Sequence, residues 1–324
     1  MYYRKNSSIT LKMLISLCAF FSLWLVLGLC SCGAIEQSYT NRGAGGGFEL
    51  KVMSFNIRCG DANDGENRWE NRRQMVFDAI RDYQPDIVGL QEALRFQIDQ
   101  IRVALPEYSE LGVGRSDGKT KGEYSAILYR TDRFNVDESS TFWFSNTPDV
   151  PNSKHWGNKM TRICTWARLT ERKSSGSLYF YNLHLDNRSQ PSRERSVELL
   201  TQRIRDRKFS EPVIVTGDFN AGEDNPAILY IKGKRSLAAG DNGESTNPVP
   251  MVDTFRLLHP DATVVGTSHR FEGRRDGKKI DYIFVTPNIQ VLEVSIVHTQ
   301  RNGRYPSDHF PVTARLVIPN SSQK

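Results

Sequence analysis

Alternation of polar and apolar residues predicts the first strand of the chain, at residues 49–56. Residues 69–83 then carry apolar side chains at helical spacing, and Pro85 ends the helix. A short apolar strand at 86–92 and a second helix at 94–105 follow. The chain therefore begins in the order strand, helix, strand, helix.

Further along the chain, predicted strands outnumber predicted helices. The strands lie at 124–129, 164–169, 178–185, 213–216, 280–285, 291–297 and 312–317, and an arginine-rich amphipathic helix lies at 191–208. Because strands and helices alternate regularly only in places, we predict an α/β fold of two mixed sheets packed face to face with helices outside. Residues 233–250 are rich in Gly, Ser, Asn and Pro and are predicted to form a surface loop.

The first residues have the pattern of an export signal. Three basic residues precede an uncharged apolar run at 13–29, which ends in Leu-Cys-Ser-Cys-Gly. This ending resembles a bacterial lipobox, with Cys32 as the lipidated residue and Cys30 as the alternative; an uncleaved anchor or plain secretion stays open. We predict a leader at 1–32, a flexible Gly-rich tether at 33–48 and one domain at 49–319, exported and anchored to the cell envelope through Cys32, or periplasmic or secreted.

Composition narrows the class of protein only modestly. Hydrophobic residues make up 38% and charged residues 25% of the chain, as in globular proteins. Removal of the leader takes away three basic residues and lowers the net charge from +6 to +3 (6 − 3). The net charge of the remaining chain therefore neither indicates nor excludes nucleic-acid binding. Outside the leader the only cysteines are Cys59 and Cys164. Two cysteines could form one disulfide, but we expect free thiols. The sequence shows no spacing of cysteine and histidine residues typical of a zinc site.

Two segments place polar groups at the ends of apolar strands. Asp218 and Asn220 follow the strand at 213–216, and if the strand continues they share one face while Phe219 enters the core. His184 lies on the polar face of the strand at 178–185, where it could also be a structural histidine. A carboxylate and an amide side by side can hold a water molecule or a phosphate.

Two further segments bring acids and a histidine into the same pattern. Asp308 and His309 lie in a loop bracketed by prolines, where adjacent side chains can converge. Asp281 is an isolated carboxylate in an apolar strand, so its burial requires a partner, either a histidine or a structural arginine. Asn56 and Glu92 end the first two strands, and oxygen ligands without cysteine favour Mg²⁺ or Mn²⁺ over zinc.

Taken in order, these motifs resemble the endonuclease/exonuclease/phosphatase superfamily, which has the deoxyribonuclease I-like fold. The resemblance spans residues 49–318 and implies a four-layer α-β-β-α sandwich with two mixed sheets, in a chain that hydrolyses phosphate esters. It implies that Glu92, Asn56 and Asp308 surround the metal. Catalysis would then fall to His184, Asp218, Asn220, Asp281 and His309, with Asp281 holding His309; whether a histidine or an aspartate is the base stays open.

Three substrate-binding residues are also expected: Tyr124 and His269 from the resemblance, and Arg162 because guanidinium groups commonly bind phosphate. Tyr124 could equally be a core tyrosine, Arg162 could offer a fork of donors to phosphate, and His269 lies in a Thr-Ser-His loop similar to that of deadenylase-like members. We expect a monomeric phosphodiesterase of nuclease type, acting on a nucleic acid or nucleotide. The alternative is a sphingomyelinase- or inositol-phosphatase-like hydrolase of lipid or sugar phosphates, and a binding module that has lost hydrolysis is a third option.

Overall fold

The computed structural model of the chain describes residues 47–238 and 243–320. The predicted leader at 1–32, including Cys32, and most of the predicted tether lie outside these residues. The strands are, in chain order, β1 (Gly47–Asn56), β2 (Ile87–Ala93), β3 (Tyr108–Leu111), β4 (Tyr124–Arg130), β5 (Phe134–Trp143), β6 (Ile163–Glu171), β7 (Ser177–His184), β8 (Val213–Asp218), β9 (Leu237–Ala238), β10 (Glu244–Ser245), β11 (Val252–Asp253), β12 (Asp281–Val285), β13 (Gln290–Ile296) and β14 (Val312–Pro319).

Five α-helices accompany these strands. They are α1 (Trp69–Tyr83), α2 (Arg95–Ala104), α3 (Gln190–Arg205), α4 (Pro226–Ile231) and α5 (Thr254–Leu258), and a 3-10 helix lies at Gly65–Asn67. Within the part of the chain that the structure describes, no helix has both the length and the apolar character that crossing a membrane would need.

Two mixed sheets of six strands each form the centre of the fold. The first has the order β13-β14-β1-β2-β4-β3 and the second the order β11-β12-β8-β7-β6-β5. The pairs β1 with β2 and β7 with β8 are parallel, and the other neighbouring pairs are antiparallel. The predicted fold class is therefore confirmed.

The alternation along β1 explains why there are four layers. Leu50 and Val52 belong to the apolar cluster that lies between the two sheets. Met53 and Phe55 point to the opposite face of β1, where they join a second cluster with α1 and α2. A third cluster lies between the second sheet and helices α3 and α4. The three apolar clusters therefore lie between four successive layers: the helices α1 and α2, the first sheet, the second sheet, and the helices α3 and α4.

Several boundaries differ from the sequence prediction. β1 begins at Gly47, inside the predicted tether at 33–48, because Phe48 is buried and packs against Phe134. The predicted loop at 233–250 contains the two-residue strands β9 and β10, which pair with each other. Cys59 and Cys164 are free thiols, as expected. The aromatic residues 142–144 are buried in the core.

Candidate active site

Five of the predicted site residues lie at one edge of the two sheets. Asn56 ends β1, His184 ends β7, Asp218 ends β8, and Glu92 is one residue from the end of β2. Asp281 begins β12, which is antiparallel to β8 and pairs Asp281 with Asp218. Because the parallel strands end where this antiparallel strand begins, the topology collects the five side chains at a single edge.

The side-chain amide of Asn56 joins the carboxylates of the two sheets. Its Nδ2 donates to Glu92 Oε1 at 3.1 Å and to Asp218 Oδ2 at 3.0 Å, and its Oδ1 accepts from the Arg58 backbone N–H at 3.0 Å. The backbone N–H of Cys59 donates to Glu92 Oε2 at 3.0 Å. Both oxygens of Glu92 are therefore held in place.

Glu92 combines a left-handed backbone with an ionised carboxyl group. Its φ is 60°, and the pairing of β2 with β4 is irregular between Leu90 and Ala93, so a local kink turns this side chain toward the site. Burial acts to raise the pKa of Glu92. Three effects outweigh burial and hold this pKa below its ordinary value: the hydrogen bond from Asn56, the charge of His309 and the hydrogen bond from the Cys59 backbone N–H.

His309 and Asp281 form a buried ion pair. His309 Nδ1 lies 2.9 Å from Asp281 Oδ2. Burial alone would lower the pKa of His309, but the charge and hydrogen bond of Asp281, with the charges of Asp218 and Asp308, raise it well above its ordinary value. His309 is therefore an imidazolium at neutral pH, and its Nε2 lies 3.9 Å from Asp218 Oδ2.

Asp218 lies between two histidines and is almost completely buried. Its Oδ2 is 3.5 Å from His184 Nε2 and 3.9 Å from His309 Nε2. Burial, and after it the charge of Asp281, raise the pKa of Asp218 to about 7, although the His309 charge and the Asn220 backbone N–H act in the other direction. A carboxyl group with a pKa near neutrality can exchange a proton with water at physiological pH.

His184 and Asn220 form a neutral pair next to Asp218. Asn220 Nδ2 lies 2.9 Å from His184 Nε2, and the Asn220 backbone N–H donates to Asp218 Oδ1 at 2.8 Å. Burial and the charges of two nearby arginines lower the pKa of His184 well below its ordinary value. His184 Nε2 therefore accepts a hydrogen bond from the Asn220 amide.

A turn, and not the predicted continuation of the strand, brings Asp218 and Asn220 together. β8 ends at Asp218, and Asn220 has a left-handed φ of 48°. Phe219 lies in the core as predicted, edge-on to Tyr282 and Phe284. The strand does not continue past Asp218, so the condition under which the two side chains would share one strand face is not met, and a turn brings them together instead.

Glu92 and Asp308 offer carboxylate oxygens on either side of the Arg58 guanidinium. Arg58 Nη1 lies 3.9 Å from Glu92 Oε2, and Arg58 Nε lies 3.9 Å from Asp308 Oδ2, so neither distance is that of a hydrogen bond. Arg58 donates instead to both oxygens of Asp64. Burial raises the pKa of Asp308; the His309 charge opposes this effect and the Glu92 charge adds to it. The two partly buried carboxylates offer only oxygen ligands, which fits a hard divalent cation.

Two groups of ligand atoms are close enough to share a metal ion. One consists of Glu92, His184 and Asp218, and the other of Asp218, Asp281 and His309, with all ligand atoms of a group within 4.8 Å of one another. Among the described residues neither group includes Asp308. Glu92 is the one predicted metal ligand that belongs to either group, and ligation by Glu92, Asn56 or Asp308 stays a prediction.

Tyr124 and Arg162, two of the predicted substrate-binding residues, lie in surroundings that differ from each other. Tyr124 belongs to the core cluster beneath α1 and α2, and its hydroxyl donates to the Lys119 carbonyl at 2.9 Å. Tyr124 also lines a small cleft with Arg162 and His184, so its substrate role stays a prediction. Arg162 is 4% exposed, and its Nε is 3.8 Å from Asp186 Oδ2. Its charge acts on His184, which places it beside the site.

His269, the third predicted substrate-binding residue, is buried in an aromatic setting. Its ring stacks on Phe310 with 3.9 Å between centroids and meets Tyr305 at 4.7 Å. Burial, followed by the charge of His309, lowers the pKa of His269 to about 4. Nδ1 accepts from the Gly273 backbone N–H at 3.2 Å, so Nε2 carries the proton, and it has no partner among the described residues.

Arg72 positions two site loops, a role that the charge pattern did not indicate. Its guanidinium donates to the backbone carbonyls of Asn67, Ile57, Arg58 and Pro306 at 2.6–3.1 Å. Arg72 is 2% exposed, although charges on a predicted helix usually form a solvated face. The sequence did hold one indication that Arg72 is buried, because Arg72 lies at helical spacing from apolar residues of α1. Arg58, two residues after the end of β1, was also missed.

Carboxylates and two histidines gathered at one sheet edge of a four-layer sandwich form a site with groups that can hydrolyse a phosphate ester. The model of the endonuclease/exonuclease/phosphatase family matches residues 53–309. The chain belongs to this family.

Three proteins are similar to this chain over most of its length. A family member from Bacteroides thetaiotaomicron is 31% identical, with a TM-score of 0.75, and the match covers 85% of this chain and 97% of that one. A mannosyl-6-phosphatase from the same species is 31% identical, with a TM-score of 0.71 and coverage of 83% and 100%. Nocturnin from Drosophila melanogaster is 24% identical over 324 residues, covering 86% of this chain and 48% of nocturnin. The chain thus spans about half the length of nocturnin.

Proposed function

We propose that this chain is an exported, metal-dependent phosphoesterase. The observation that carries the proposal is the convergence of three carboxylates, the buried Asp218 and the partly buried Glu92 and Asp308, beside the ion pair of His309 and Asp281. Carboxylates gathered in a partly buried site favour a bound cation, and a phosphate substrate needs positive charge around its oxygens.

Glu92 and Asp308 would hold Mg²⁺ or Mn²⁺, with Asn56 nearby. When bound, the cation supplies positive charge to phosphate oxygens. Asn56 contributes from its own side by fixing the relative positions of Glu92 and Asp218, to which its amide donates. Arg58 adds a second positive charge within 4 Å of both Glu92 and Asp308.

Asp218 and His309 have different tasks in the proposed reaction. His309 is already protonated and cannot accept a proton, so its Nε2–H donates to the phosphate as charge develops. Asp218, with a pKa of about 7, is the group able to take a proton from the attacking water. Asn220 fixes Asp218 through its backbone N–H and keeps the neutral His184 oriented.

Two substrate classes fit this site, and each has an observation in its favour. The similarity to a mannosyl-6-phosphatase favours a sugar phosphate. The loop after His269 carries Arg270, Arg274, Arg275 and Lys278, all exposed, which favours the nuclease-type phosphodiesterase because such a rim can contact a nucleic-acid backbone. The lipid-phosphate alternative has no comparable feature among the described residues.

The test of the proposal is a substrate panel with the purified protein and Mg²⁺ or Mn²⁺. It contains DNA, RNA, sphingomyelin, inositol phosphates, hexose phosphates and chromogenic phosphate esters. Glu92→Gln keeps the size of the side chain and removes its charge, and Glu110→Gln, on the edge strand β3, is the matched control. Hydrolysis that survives Glu92→Gln unchanged would contradict the proposed site.

Export is proposed from the amino-terminal sequence alone. Lipidation of Cys32 would tether the domain to the cell envelope, and the enzyme would then act on external phosphate esters. Mass spectrometry of the mature amino terminus tests this proposal. An unmodified amino terminus downstream of Cys32 would contradict lipidation.

A further inference from the structure

Two buried arginines lie beside His184 and have no task in the reaction described above. Arg162 directly precedes β6, and Arg115 lies in the loop between β3 and β4. Their side chains are 4% and 9% exposed. Both line a small cleft that also contains His184, Glu123 and Ser125. The two guanidinium groups are therefore part of the wall next to the candidate active site.

The two arginines differ in how well their hydrogen-bonding groups are satisfied. Arg115 forms a two-pronged pair with Glu123, with N–O distances of 2.7 and 2.9 Å. Among residues 47–238 and 243–320, nothing accepts a hydrogen bond from the buried Arg162 Nε, which lies 3.8 Å from Asp186 Oδ2. The other oxygen of Asp186 accepts two backbone N–H groups of the next turn. The buried Arg162 Nε therefore lacks an acceptor within the described residues, which is costly unless a ligand supplies one.

The loop that carries Arg115 is held by its own hydrogen bonds. The Arg115 backbone N–H donates to the Glu123 carbonyl at 3.1 Å, and Trp143 Nε1 donates to the Arg115 carbonyl at 2.8 Å. The Asp117 side chain accepts from two backbone N–H groups further along the loop. Arg115 is thus fixed before any ligand arrives, which reduces the entropy lost on binding.

We propose that Arg115 and Arg162 bind the terminal phosphate of a phosphate monoester and thereby direct the site toward monoesters. This inference rests on the proposed phosphoesterase function. A monoester presents three terminal oxygens and is close to dianionic at neutral pH, which suits the unpaired Nε of Arg162 together with the N–H groups of Arg115 that Glu123 does not occupy. A diester has two unsubstituted oxygens and one negative charge, and its second substituent would have to fit against a wall of buried side chains.

The reaction that follows from this assignment is the release of inorganic phosphate. A bond forms between the water oxygen and phosphorus, and the bond between phosphorus and the alcohol oxygen breaks. Asp218 takes a proton from the attacking water and later returns it to solvent, and the departing alcohol oxygen takes a proton from solvent, so the products are inorganic phosphate and a free alcohol. No oxidant or further reactant is required.

The first test measures the binding of inorganic phosphate by isothermal titration calorimetry in the presence of EDTA. Arg162→Ala and Arg115→Ala should each weaken binding by about 10- to 100-fold, the size expected for hydrogen bonds to a charged group. Arg162→Lys, which keeps the charge but not the fork, should recover part of this loss. Arg130→Ala removes an exposed ion pair and is the control. Unchanged affinity in Arg162→Ala, or no phosphate binding by the unaltered protein, would overturn the inference.

The second test separates this inference from the proposed function. With Mg²⁺ present, p-nitrophenyl phosphate should have the higher kcat/KM compared with bis(p-nitrophenyl) phosphate, and Arg162→Ala should lower only the monoester value by about 10-fold or more. Glu92-dependent hydrolysis of the diester alone would overturn the monoester assignment and leave the phosphoesterase function intact. No hydrolysis of either ester, together with Arg162-dependent phosphate binding, would refute the proposed function and support the phosphate site.

Discussion

Replacing Asp281 with asparagine should lower the rate of hydrolysis while the fold persists. Asp281 is 1% exposed, and its Oδ2 lies 2.9 Å from His309 Nδ1. Asparagine has nearly the same shape and can still accept this hydrogen bond, but it removes the negative charge that keeps His309 protonated. The variant therefore tests the charge of the pair and leaves its packing largely unchanged.

The magnitude follows from the kind of hydrogen bond that is lost. A hydrogen bond to a charged group contributes about 1.5–3 kcal/mol. If His309 donates to the phosphate more strongly in the transition state than in the ground state, this difference lowers kcat by about 10- to 150-fold, since about 1.4 kcal/mol corresponds to a factor of 10. The Km should change much less, because the interaction lost is the one made in the transition state.

The assay compares kcat and Km of Asp281→Asn with those of Asp253→Asn. Asp253 lies in β11 and is paired with the buried Lys279 at 2.8 Å, so this control weakens a similar buried ion pair outside the site. Thermal unfolding establishes that both variants are folded. A rate for Asp281→Asn within about 2-fold of the unaltered protein would refute the role given to the charge, as would an equal loss in the control.

Three further predictions concern the metal, the packing between the sheets and the tyrosines. EDTA should abolish hydrolysis and excess Mg²⁺ or Mn²⁺ should restore it; full activity in excess chelator would contradict the metal assignment. Gly89→Ala should lower the free energy of unfolding by about 1–3 kcal/mol, because its Cβ would lie 2.2 Å from Thr216 Oγ1, whereas Gly277→Ala meets nothing closer than 3.5 Å and should be neutral in urea unfolding. Burial raises the pKa of Tyr83 to about 12, so the unfolded chain ionises first and stability falls as the pH rises from about 10 to 12. Tyr83→Phe should lose less stability over that interval, and an unchanged pH dependence would contradict the assignment.

The predictable part of the fold consists of elements with a strong apolar period. Helix α1 has the predicted bounds, because its apolar residues recur at helical spacing and Pro85 follows closely. Strand β5 was not predicted, since it is an edge strand whose residues 135–141 are mostly exposed and polar. Helices α4 and α5 are too short, at 6 and 5 residues, to show a period.

The candidate site was predictable for the residues that lie at the ends of strands. Asp281 required a buried partner, and the structure supplies His309, one of the two alternatives considered. Arg72 and Arg115 could not be predicted, because their functions depend on loop carbonyls and carboxylates that only the tertiary structure brings near. Tyr124, a position suggested by family resemblance, donates its hydroxyl to a backbone carbonyl and also lines the cleft beside His184, so its substrate role stays a prediction.

A buried polar network beneath the site joins the two sheets. Asn182 Oδ1 accepts from Gln91 Nε2 at 2.7 Å and from Thr216 Oγ1 at 3.0 Å. Its Nδ2 donates to the carbonyls of Leu90 and Ala126, both at 2.8 Å. Apolar side chains alone would allow two sheets to slide over each other, whereas directed hydrogen bonds define one alignment.

That alignment matters because the site is assembled from both sheets. Glu92 comes from the first sheet and Asp218 from the second, and a single amide, that of Asn56, bridges them at 3.1 and 3.0 Å. A shift of about 1 Å between the sheets would break at least one of these bonds and move the two carboxylates apart. The polar residues between the sheets therefore act as positioning residues for a site that neither sheet could form alone.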